Sequence, residues 1–119
     1  MSFENRLAAL EGSNHLSALK NIARGIEKES LRVEVSGHLA KTKHPSALGS
    51  ALTHPSITTD YSEALLEFIT APSASIDQVL NELEEIHSYT YQHINDELLW
   101  VNSMPCQLGD DDSIPVAQY

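Results

Sequence analysis

The stretch ARGIEKESLRV, Ala23–Val33, sets Glu27 and Glu29 two residues apart in a run whose Ile26, Leu31 and Val33 otherwise read as a strand. In an extended chain successive side chains alternate between faces. Glu27, Glu29, Leu31 and Val33 therefore line one side, and Ile26, Lys28, Ser30 and Arg32 the other. Two carboxylates share a face with residues of core type, and what neutralises them decides how the sheet is used.

The surroundings bound the answer. With 119 residues, 41% hydrophobic and 20% charged, the chain has the composition and length of one globular domain, and a single domain over 1–119 is expected. Its 17 acidic residues outnumber 7 basic ones, for a formal net charge of -10. Such a surface repels a phosphate backbone and anionic lipid, so neither nucleic acid nor a membrane is an expected partner. No segment approaches the roughly 20 apolar residues that span a bilayer. MSFENRLAAL lacks a basic start followed by an apolar run, and the single Cys106 has no intrachain disulfide partner, which together point to a reducing cytoplasm.

Working outward, Phe3, Leu7 and Leu10 fall on one face of a short helix that Gly12-Ser13-Asn14 would stop, and one or two more helical turns fit His15 to Ile22. The strand is expected over Arg24 to Val35 and should turn at Ser36-Gly37. Leu39 to Ile57 is broken by His44-Pro45, Gly49-Ser50 and His54-Pro55, and reads as a loop with a short helix around Ser46 to Thr53. YSEALLEFITAP has the apolar density of a second buried strand, with helix the rival. As a strand it puts Glu63, Leu65, Glu67 and Ile69 on one face and Ala64, Leu66 and Phe68 on the other. Ser75 and Gln78 have the spacing of a capping box, and Ile76, Val79, Leu80, Leu83, Ile86 and Ile94 form a helical stripe of roughly five turns. Leu98 to Met104 fits a third strand ended by Pro105. Gly109-Asp110-Asp111-Asp112 lacks the ligand alternation of a calcium loop.

Two like charges ~4 Å apart repel by about 4 kcal/mol at an effective dielectric near 20. Protonation, basic partners or bound cations relieve that repulsion. With seven basic residues in the chain, cations are attractive, and hard divalent ions such as magnesium prefer carboxylate oxygens. Paired glutamates also occur on the wet face of a strand, and that reading stays open. The six histidines show no zinc spacing and suit surface or capping roles, while Cys106 suits a packed thiol.

RGIEKESLRV, HPSALGSALTHPSITTDYSEALLEFIT, SMPC and VAQY, in this order and at these separations, resemble the amino-terminal part of the proteobacterial glutamate-cysteine ligases. The resemblance covers nearly the whole chain. It implies an α+β fold: part of an antiparallel sheet funnel flanked by helices, like glutamine synthetase and the guanidino kinases. It also implies ATP-dependent ligation of the L-glutamate side-chain carboxylate to the amino group of L-cysteine through gamma-glutamyl phosphate, the first step of glutathione biosynthesis. By the same resemblance Glu27, Glu29, Asp60 and Glu67 match magnesium-ligand positions, and Tyr61 falls where an aromatic residue lines the pocket for the cysteine side chain. Glu63 matches a family acid without an assigned role. Thr70-Ala71-Pro72 departs from the threonine-proline of many relatives at the strand exit.

Because the resembling proteins are several times longer, the chain is expected to be an incomplete domain, inactive alone, whose partner is the rest of the ligase chain. A free-standing acidic binding or regulatory module is the alternative. On the first expectation Glu27, Glu29 and Glu67 converge on one concave surface, close enough to share cations.

Overall fold

A computed structural model describes residues 1–13 and 15–118. Asn14, in the expected helix stop, and Tyr119, the last residue of the VAQY segment, lie outside them.

The decisive stretch is a strand, β1, over Glu27–Val33, shorter at both ends than the expected Arg24 to Val35. Upstream, Arg24 makes only an isolated bridge to Ser73, and downstream the chain turns early, with the Gly37 N–H donating to the Glu34 carbonyl. Gly37 takes φ 86°, a conformation open to glycine, so the Ser36-Gly37 turn stands where it was expected. Three further strands complete one antiparallel sheet: β2 (Ile57–Thr59), β3 (Leu65–Ile69) and β4 (Leu98–Leu99), in the order β2-β3-β1-β4. β2 begins at Ile57, the last residue of the expected loop, and runs through Thr58 and Thr59, for which no element was expected, because three residues are too few to display a period. β4 stops two residues into the expected Leu98–Met104, where the Trp100 indole turns to donate to the Met104 carbonyl.

The chain forms two α-helices, α1 (Phe3–Glu11), which buries no side chain, and α2 (Ile76–Tyr91), which packs on the sheet, giving an α+β arrangement. Ser75 caps α2 by accepting the Gln78 N–H at 3.2 Å. The expected reciprocal half of the capping box is absent, since the Gln78 side chain accepts from Ser73 instead. The stripe is narrower than expected: Val79 and Ile86 are buried, whereas Ile76 and Leu80 are exposed. Ile94 lies beyond the end of α2 but still enters the core.

The main core lies between α2 and one sheet face and comprises Leu48, Ile57, Leu66, Phe68, Ile86, Ile94 and Leu99. Each such side chain contributes about 1.5–3 kcal/mol by leaving water. Antiparallel register fixes which β1 residues share this face: Lys28 stands opposite Phe68, Ser30 opposite Leu66 and Arg32 opposite Leu99. The face named core-like from the sequence, with Glu27 and Glu29, is thus the other one. It is covered only at its far end, where Leu31 and Val33 meet a second cluster with Leu39, Ala64, Cys106 and Trp100.

Arg32 is fully buried on the α2 side. Its guanidinium pairs with Glu97 and donates to the Thr42 hydroxyl, the Thr42 and Lys43 carbonyls and the Glu63 carbonyl. One forked cation therefore ties β1 to the 42–43 loop, the approach to β3 and the turn before β4.

Candidate functional site

The uncovered end of the sheet is acidic. Pairing of β1 with β3 sets Glu29 directly opposite Glu67 and Glu27 opposite Ile69, so all three glutamates project from the face that α2 does not cover. Thr58, opposite Glu67 from β2, belongs to the same face. Asp60 follows β2 immediately and is half-buried.

Electrostatics join these residues. The Glu67 carboxyl is held above its ordinary value of 4.5, first by burial and then by the negative charges of Glu27, Glu29 and Asp60. The four acids singled out by resemblance therefore share one field. They stop short of a formed cage: among the described residues no group of three His, Cys, Asp or Glu side chains is arranged to hold a metal ion. Strand geometry explains the shortfall. Only Glu29 and Glu67 are directly opposed, and residues two apart along a strand sit roughly 6.5 Å from one another. As a donor set the four are nonetheless suited to magnesium, since they are hard oxygen ligands with unneutralised charge at Glu67 that a divalent cation would relieve.

Beside Glu29 a cleft of about 330 Å³ opens between β1, β3 and the segment after β4, lined by Leu31, Leu65, Trp100, Asn102 and Met104 among others. Lys28, on the opposite face, lies 5.7 Å from the Phe68 ring centroid, and burial lowers its pKa. It does not neutralise the glutamates.

Tyr61 and Glu63 take different places. Tyr61 is 85% exposed and adopts φ 55°, a left-handed conformation that bulky residues avoid. Glu63 was expected on the Glu67 face but precedes β3 and turns inward, where it is buried. Its two carboxylate oxygens accept the backbone N–H groups of His44 and Gln118, at 2.6 and 2.8 Å.

Three of the six histidines make structural contacts. His54 Nδ1 accepts the N–H groups of Ser56 and Ile57, His87 packs edge-on against Phe68, and His44 meets the Thr59 hydroxyl at 2.9 Å. Burial, and then the Arg32 charge, lower the His44 pKa. Cys106 is buried in the second cluster, and burial raises its thiol pKa. No helix among the described residues is long and apolar enough to cross a membrane.

Comparison with known proteins adds a family. A family model described as glutamate-cysteine ligase matches residues 7–119. The chain is 60% identical over 116 residues to a glutamate-cysteine ligase of Alcanivorax borkumensis, an alignment covering 98% of this chain and 22% of that protein. It is 54% identical to one of Shewanella pealeana, covering 99% of this chain and 23% of the relative. The chain thus spans about a fifth of the length of the curated relatives it matches. Among solved structures it resembles the glutamate-cysteine ligase of Francisella tularensis in complex with AMP, with TM-score 0.78 and 45% identity over 82% of this chain and 20% of that one. It also resembles a bifunctional glutathione synthetase of Pasteurella multocida, with TM-score 0.80 and 34% identity over 97% of this chain and 15% of that one.

Proposed function

The chain belongs to the glutamate-cysteine ligase family, and from that premise we propose that it forms one acidic wall of the ligase's catalytic funnel, in the cytoplasm. The reaction is ATP-dependent ligation of L-glutamate to L-cysteine. A phosphoryl group passes from ATP to the glutamate side-chain carboxylate, and the cysteine amino group displaces phosphate from the resulting gamma-glutamyl phosphate to form the amide, leaving ADP and phosphate. The AMP held by the Francisella relative supports a nucleotide as co-substrate.

The observation that carries this reading is the shared field of Glu27, Glu29, Asp60 and Glu67 on one open sheet face. In this proposal those four carboxylates hold magnesium, which when bound supplies the positive charge that lets phosphate and two carboxyl-bearing substrates gather in one place. Tyr61, standing beside Asp60 with its ring exposed, offers an apolar surface to the cysteine side chain.

Isolated, the 119-residue chain is proposed to be inactive and to depend on the rest of a ligase chain. Only seven Lys and Arg stand against 17 Asp and Glu, and Arg32 is buried in a structural pair, so the chain has few free cations with which to hold a triphosphate. The test is ADP release dependent on both glutamate and cysteine. The full-length ligase carrying this segment should lose on the order of 100-fold in rate on Glu27→Ala or Glu67→Ala, and the 119-residue chain should release none. An undiminished rate in either variant would sink the ligand assignment.

A further inference from the structure

The turn from Asp60 to Glu63 is held in place from several sides. Its second residue, Tyr61, is one of only two described non-glycine residues with positive φ, and as an aromatic residue it is the more strained of the two, since asparagine tolerates that region better. Such a conformation persists only where neighbours over-determine it. Here they do. The Ser62 N–H donates to the Asp60 carbonyl, closing the turn, and the segment 115–118 runs alongside as a splint: the Ala117 N–H donates to the Tyr61 carbonyl, the Glu63 N–H to the Pro115 carbonyl and the Ser62 hydroxyl to the same Pro115 oxygen.

Glu63 closes this splint. One carboxylate oxygen accepts the Gln118 N–H, the other accepts the His44 N–H, and its carbonyl accepts from Arg32. None of these bonds goes to the acidic face or to the Tyr61 ring, yet they join the loop at residue 44, the buried Arg32 and the 115–118 segment to the turn that presents Asp60 and Tyr61.

We infer that Glu63 is a positioning residue of the proposed site: its carboxylate clamps segment 115–118 to the 60–63 turn and thereby fixes the strained Tyr61 ring. The inference rests on the reading that Tyr61 meets the cysteine substrate. It assigns Glu63 no contact with substrate or cation.

The experiment uses the full-length ligase carrying this segment, as wild type, Glu63→Ala, Tyr61→Ala and the double variant, with Glu63→Gln as the milder change that keeps one acceptor oxygen. Hydrogen exchange followed by mass spectrometry reads the clamp. Amides of 116–118 and 60–64 should exchange several-fold faster in the Glu63 variants, with α2 unaltered. Kinetics read the positioning. KM for cysteine should rise roughly tenfold or more, while KM for ATP stays within about twofold. Tyr61→Ala should add little in the Glu63→Ala background, because both act through the same ring. Unchanged exchange at 116–118 in a folded Glu63 variant overturns the clamp. Additive effects of the two substitutions, or an equal rise in both KM values, overturn the positioning role and leave Glu63 a general stabiliser. If the wild type forms no dipeptide, the reading of the site fails, while the exchange comparison still decides the clamp.

Discussion

Glu67 faces Glu29 across the β1–β3 ladder, and its carboxyl is held above the ordinary 4.5 by burial and by three neighbouring acids. The sign of the consequence is fixed by linkage. Between the ordinary and the raised pKa the folded chain binds more protons than the unfolded one, so stability falls as pH rises through that window. Below the ordinary value both states are protonated and the effect vanishes. Glu67→Gln should flatten this slope and stabilise the chain at pH 7 by about 0.2–1 kcal/mol, the scale of a directly opposed like-charge pair. Urea unfolding at several pH values from 4 to 7 measures it. Magnesium should narrow the gap between wild type and variant more than sodium at equal ionic strength does, and equal effects of the two salts would count against a cation site. The sequence disclosed Glu27 and Glu29 because strand alternation alone puts them on one side. It hid Glu63, whose orientation depends on β3 starting only at Leu65, and it hid Arg32, since a charged residue at an alternate strand position looks no different buried than exposed.

At the scale of elements, β1 is bound to its neighbours by more than its ladder. Arg32 fills a site with no exposed surface and bonds to Glu97, to Thr42 and to the carbonyls of Thr42, Lys43 and Glu63. Arg32→Ala would leave the partly buried Glu97 without its cation and three carbonyls without a donor, at a cost of about 3–5 kcal/mol. That is a large part of the 5–15 kcal/mol total of an ordinary domain. Arg32→Lys should not restore it, because one ammonium does not reproduce the planar fork. Denaturant midpoints followed by circular dichroism test both, and a loss below about 1 kcal/mol for Arg32→Ala would show that the network is dispensable. Elements with a period of their own were legible. β1 and β3 alternate, α2 carries a 3.6-residue stripe behind a capping serine, and each was expected near its observed place. β2 and β4, at three and two residues, exist through pairing with β3 and β1 and leave no local pattern to read. Which sheet face α2 covers was not legible for a related reason: Leu31 and Val33 mark a buried end of the glutamate face, and only the register shows that its other end is open.

The whole molecule is longer than its chain length requires. Its radius of gyration is 19.3 Å and its extents are 57 × 29 × 25 Å, against about 13.5 Å for a compact chain of this size. Neither α1 nor the short 3-10 helix Leu16–Asn21 buries a single side chain. Phe3, Leu7, Leu10, Leu16, Leu19 and Ile22 are all exposed, although each would gain about 1.5–3 kcal/mol by full burial. The amphipathic pattern read in Phe3, Leu7 and Leu10 is therefore present as a helix but contributes nothing to the core. Two consequences can be separated by experiment. Removing residues 1–22 should leave the unfolding free energy of the sheet and α2 unchanged within about 0.5 kcal/mol, as for surface changes remote from a core. The same deletion should reduce concentration-dependent association of the 119-residue chain in sedimentation velocity, because the apolar stripe is the surface two copies would bury. If the deletion lowered the unfolding midpoint and left association unaltered, α1 would be packing on the body in solution, and the apolar stripe would be part of the fold.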